Sequence, residues 1–95
     1  MRPTLADHHI AIQEALNSPI VKEQIALKEV IPHMYLLNTR CDCIAVKPTH
    51  FRFRVTLDYS LIRNKEIPAH EEVVAMVDIK RTGNGHEVSV IPALQ

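Results

Sequence analysis

Three short constellations carry side chains able to ligate a metal or move protons. In Cys41-Asp42-Cys43 the two thiols are two positions apart. On a strand both then point to one side and can bind a common ligand. A closed zinc site takes four ligands, usually with wider gaps inside each pair. No second Cys pair exists, so His33, His50 or His70 would have to complete the set. Two small core residues are the plainer reading, and no metal or other cofactor is expected. His8 and His9 are neighbours on a helical segment and diverge by about 100°, so they do not chelate together. His9 falls on the apolar stripe of that helix and is expected to be partly buried. His70-Glu71-Glu72 begins like a zinc-hydrolase run, but position 74 is Val where the second His is needed, and the segment reads as strand.

The remaining chemistry is cationic. His50, Arg52 and Arg54 occupy alternate positions of one strand, with Lys47 just before them. Three such side chains span roughly 13 Å, a stripe that can meet a phosphate backbone or an acidic protein surface. Phe51 and Phe53 point the other way, so they cannot stack on bases beside those arginines, and the aromatic strand motif of RNA-recognition domains is missing. The alternative is a solvated sheet face whose cations have acidic partners on neighbouring strands. For nucleophilic catalysis the sequence offers no nucleophile elbow, no Gly-rich phosphate loop and no Ser or Cys with a defined base. Glu71 and Glu72 alternate faces and form no acid–base pair. Asp58 and Tyr59 would be the first residues to inspect in a pocket between helix and sheet, and no catalytic residue is assigned.

Elements that position these residues follow from periodicity. Thr4 and Asp7 read as an N-cap with its acidic partner three residues on. Residues 5–17 then read as a helix, with Leu5, His9, Ile12 and Leu16 on one face of a 3.6-residue period. Ser18-Pro19 starts a second segment, Pro fitting the first helical position. Ile20, Leu27 and Ile31 share a helical face there, but Ile25, Leu27 and Ile31 also fit a strand; helix to about residue 28 is preferred. Pro32 ends it. Met34 to Val46 reads as a strand, with Met34 and Leu36 on one parity and Cys41, Cys43 and Ala45 on the other, which a bulge near Asn38 reconciles. Lys47-Pro48-Thr49 is the turn.

The cleanest pattern follows. Phe51, Phe53, Val55, Leu57, Tyr59 and Leu61 alternate with His50, Arg52, Arg54, Thr56, Asp58 and Ser60, the mark of a half-buried antiparallel strand with one wet face. Residues 63–68 are a polar connection. A third strand spans about Glu71 to Arg81, with Val73, Ala75, Val77 and Ile79 inward and Val74 and Met76 outward. Thr82-Gly83-Asn84-Gly85 is a turn, and a fourth strand runs from about His86 to Ile91 before Pro92. A Gly83-Asn84 loop sets Ile79 opposite Val88, Val77 opposite Val90 and Lys80 opposite Glu87, which matches both faces better than an Asn84-Gly85 loop. The expected fold class is therefore α+β: one or two N-terminal helices on a four-stranded antiparallel β-meander, residues 1–95 forming a single domain. That order resembles the cystatin-like layout as an analogy of architecture.

Composition bounds the function. The chain is 46% hydrophobic and 23% charged, which argues against disorder except at the ends. Eleven basic and eleven acidic side chains cancel. Neutrality weighs against a general polyanion binder and weakens the repulsion that keeps small proteins apart. Met-Arg-Pro-Thr carries no apolar h-region, so no secretory signal is expected, and no apolar run approaches the ~20 residues of a membrane span. Reduced thiols in a cytoplasmic protein are expected. The leading expectation is a non-enzymatic protein-interaction module that acts through its sheet surface as a homodimer, with another protein as a further partner. The alternatives are binding of nucleic acid or another anionic partner through Lys47, His50, Arg52 and Arg54, and small-molecule binding or catalysis in a helix–sheet pocket.

Overall fold

A computed structural model describes residues 2–30, 34–60 and 70–93. Two helices, α1 (Leu5–Asn17) and α2 (Pro19–Glu29), precede four strands, β1 (Tyr35–Val46), β2 (Phe51–Ser60), β3 (His70–Thr82) and β4 (Gly85–Pro92). The strands form one antiparallel sheet in the order β1-β2-β3-β4. Both helices pack on one face of it, the α+β layout expected from the sequence. Leu61, the 63–68 connection, Ile31, Pro32 and His33 lie outside the described residues.

Local chemistry sets the helix boundaries. Thr4 Oγ1 accepts from the Asp7 N–H at 3.4 Å, and Asp7 Oδ2 accepts from the Thr4 N–H at 2.7 Å, a reciprocal capping box. At the other end Ser18 donates its N–H to the Ala15 carbonyl, and Pro19 opens α2 at a position where a missing N–H costs nothing. The inward face of α1 differs from the expected stripe. Asp7, Ala11 and Ala15 are buried, whereas Leu5 is 80% exposed and His9 is exposed. The helix lies against Phe51 and Phe53, and a face of alanines allows the closest approach to those rings, so size outranks hydropathy in choosing the side that docks. In α2 the buried residue is Val21, with Ile25 packed beside it, and Ile20 and Leu27 face solvent.

The β2 alternation is borne out on its inner side: Phe51, Phe53, Val55, Leu57 and Tyr59 are all buried. They form the centre of the core with Val74, Ala75, Val77 and Ile79 of β3. The hairpin register pairs Ile79 with Val88, Val77 with Val90 and Lys80 with Glu87, as expected for a Gly83-Asn84 loop. Gly85 takes a positive φ of 157°. One expectation for β3 fails. A register shift between Val55 and Thr56 makes Val74 an extra residue: Ala75 pairs with Val55 and Val73 with Thr56. The side-chain parity flips there, so Val74 enters the core and Val73, not Val74, stands on the outer side with Met76. β1 carries two such shifts, at Leu36/Asn38 and Cys43/Ala45; the first is the bulge expected near Asn38.

Candidate functional site

The outer face of the sheet carries the cationic stripe. Arg52 donates from Nε and Nη2 to the two carboxylate oxygens of Asp78, at 2.7 and 2.9 Å, across the β2–β3 pairing that sets the two residues opposite each other. The Arg52 hydrogen bonds hold Asp78 below its ordinary carboxylate range against the opposing effect of burial, and His50 and Lys47 add to the lowering. Arg54 lies 3.7 Å from Asp42 on β1. His50 Nδ1 is 3.1 Å from Thr49 Oγ1, and its side chain joins Asp78, Lys80 and Glu87 around an open groove of about 330 Å³. Lys47 is exposed at the turn, where its N–H bonds the His50 carbonyl. The structure therefore brings Lys47, His50, Arg52 and Arg54 onto one strand and turn, and interleaves the two arginines with cross-strand carboxylates.

Farther along the same face Arg40 makes a bidentate pair with Asp58, at 2.7 and 2.9 Å, and reaches Glu71 at 3.2 Å. Asp58 is buried, although its parity places it on the expected wet side, as are Thr56 and Ser60. The wet face of β2 is wet only over its first half. Asp58 is thus committed to an arginine, and Tyr59 points to the opposite face, where burial pushes its phenol above the ordinary value, with the Glu72 and Glu29 carboxylates adding to the rise. Tyr59 lines a cavity of about 330 Å³ with Ile25, Glu29, Met34, Tyr35 and Leu36 between α2 and β1. Asp58 and Tyr59 consequently share no site.

Cys41 and Cys43 face the helices as free thiols and pack against the core. Burial pushes the Cys41 thiol up to about 11, with Asp42 and Cys43 adding to the rise. A high thiol pKa suppresses the thiolate that metal binding and nucleophilic attack require. Among the described residues no group of three His, Cys, Asp or Glu side chains is placed to hold a metal. His8, not His9, turns inward: its ring meets Phe53 edge-on at 4.9 Å, and Nδ1 lies 3.2 Å from the Cys41 carbonyl. A carbonyl only accepts, so Nδ1 carries the proton. Glu71 and Glu72 do separate to opposite faces, Glu71 to Arg40 and Glu72 to Lys28 of α2 at 3.3 Å.

Sequence reasoning missed the ionic cluster at the start of α1. Asp7, 1% exposed, takes Arg81 Nη2 at 2.5 Å and has His86 Nε2 3.3 Å from its other oxygen. Arg81 also lies over the Phe51 ring at 5.0 Å. Burial alone would push Asp7 up; the hydrogen bonds from Arg81 and Thr4 outweigh it and bring its pKa down to about 2. The hairpin register sets Arg81 opposite His86 and was readable, but nothing local in the sequence joins that pair to the helix.

Four exposed large apolar side chains lie on the β1 edge of the sheet, and Ile91, 46% exposed, stands on the opposite edge in β4. On β1, Tyr35 and Leu36 stand at one end, 39% and 48% exposed, and Ile44 and Val46 at the other, 43% and 58%. Among the described residues no helix is long and apolar enough to cross a membrane. Comparison of the chain with known protein families, with curated proteins and with solved structures returns no match.

Proposed function

We propose that the chain is a non-enzymatic protein-interaction module that associates through its exposed sheet as a homodimer. The observation that carries this reading is the row of exposed apolar residues along β1, on an edge strand of twelve residues. Exposed apolar strand edges are templates for pairing with another chain, and burial of such side chains favours association. The ionisable groups support the non-enzymatic part: Asp7, Asp58, Asp78 and Glu72 are each engaged by a cation of the fold. The paired arginines weigh against a polyanion-binding role, because a guanidinium already neutralised releases less from a phosphate backbone. A cytoplasmic setting fits the two free thiols.

Native mass spectrometry over a dilution series tests the proposal. The expected result is a two-chain mass that gives way to the single-chain mass on dilution. A single-chain mass at every concentration would contradict it.

A further inference from the structure

We infer that the two copies join through β1 itself, antiparallel about a twofold axis at Cys41, so that each sheet continues into the other. The inference rests on the homodimer reading and specifies its interface. β1 is regular from Asn38 to Cys43 and bulged on either side. Within that stretch Arg40 and Asp42 stand on the outer face and flank Cys41. In an antiparallel pairing with Cys41 opposite Cys41 of the second copy, Arg40 lies opposite Asp42 of the second copy, and Asp42 opposite its Arg40. The next register on either side sets Arg40 against Arg40 or Asp42 against Asp42. Opposite charges directly across a strand pair are favourable and like charges are not, so charge selects the register centred on Cys41.

The apolar residues obey the same symmetry. The twofold sets Leu36 opposite Val46 of the second copy at each end of the pairing, so that these two exposed residues of the β1 edge cover each other. Both bulges fall near the ends of the contact, three and four residues from Cys41, leaving the regular centre to form the ladder. Arg40 can take a third carboxylate: a guanidinium has five N–H donors, and it makes three contacts to Asp58 and Glu71. Asp42, half-exposed, is approached by Arg54 of its own chain at 3.7 Å, the one ion pair it makes among the described residues. The opposite edge is a poorer fit: β4 is eight residues long, includes Pro92, and offers Glu87 no lysine or arginine of its own strand to face.

The test is an isotope-filtered NOE experiment on a mixture of labelled and unlabelled protein, with the Asp42→Lys variant measured alongside. The expected result is cross-copy contacts between Arg40 and Asp42 and between Thr39 and Cys43, and a dimer weakened about thirtyfold by Asp42→Lys, two attractive pairs having become repulsive. Asp42 is peripheral to the core, so the variant should keep the wild-type circular dichroism spectrum. A dimer whose cross-copy contacts fall on Met76 or Ser89 instead would overturn the β1 pairing and leave the homodimer reading standing. A monomer at NMR concentrations would overturn both.

Discussion

Asp7→Asn isolates the contact that fastens the start of α1 to the β3–β4 hairpin. The substitution keeps size and shape but removes the charge that meets Arg81 at 2.5 Å and His86 at 3.3 Å. Its magnitude follows from the titration of the carboxyl. Lowering from 3.8 to about 2, at about 1.4 kcal/mol per pH unit, corresponds to roughly 2 kcal/mol of stability. The folded-state value is the depressed one. The contribution is therefore complete above the ordinary value of 3.8 and disappears as pH falls through about 2. Urea denaturation of the wild type and Asp7→Asn should show a gap of about 2 kcal/mol at pH 6 that closes between about pH 4 and pH 2. A gap that stays constant with pH would mean that the loss came from the cap or from packing. No gap at all would mean that the buried cluster contributes nothing net, as desolvation can bring about for buried ion pairs.

Three further outcomes follow from the core and the thiols. Ala11→Leu should destabilise by about 1–3 kcal/mol, because a larger side chain has no room between α1 and the sheet, whereas Leu5→Ala should change the melting temperature little; thermal unfolding of both variants checks which face docks. Phe53→Ala should cost about 3–5 kcal/mol in denaturant unfolding, and a near-wild-type midpoint would contradict the β2 register. Cys41, with its thiol raised to about 11, should alkylate with iodoacetamide at pH 8 far more slowly in the folded protein than after unfolding, as followed by peptide mass spectrometry.

Much of this architecture was legible because its signals are local. The Thr4–Asp7 box fixed the start of α1, and the Phe51-to-Tyr59 alternation fixed the inner face of β2. Gly83-Asn84, together with the Lys80–Glu87 pairing, fixed the hairpin. What escaped depends on packing. Hydropathy ranks Leu5 above Ala11, but closeness of approach to Phe51 and Phe53 decides which side of α1 is buried. A strict two-residue period assigns Val73 inward, but one extra residue at Val74 shifts the parity of everything before it. Bulges leave no clear mark in a run such as Glu71-Glu72-Val73-Val74-Ala75.

The candidate surface was legible in part for the same reason. The alternation placed Arg52 and Arg54 on a common face, and the structure adds the carboxylates that accompany them. Those partners, Asp78 and Asp42, come from strands on either side of β2 and require the register of both. The self-complementary order Arg40-Cys41-Asp42 is visible in the sequence, but its meaning depends on β1 being an edge strand, which only the sheet order shows.

Hydrogen exchange at the backbone of β1, measured at two protein concentrations well apart, tests the central claim most directly. Association through the exposed sheet edge predicts that amides from Thr39 to Cys43 exchange more slowly at the higher concentration, while those of β4 do not change. Identical exchange along β1 at both concentrations, with one mass throughout, would contradict an interaction module built on this strand.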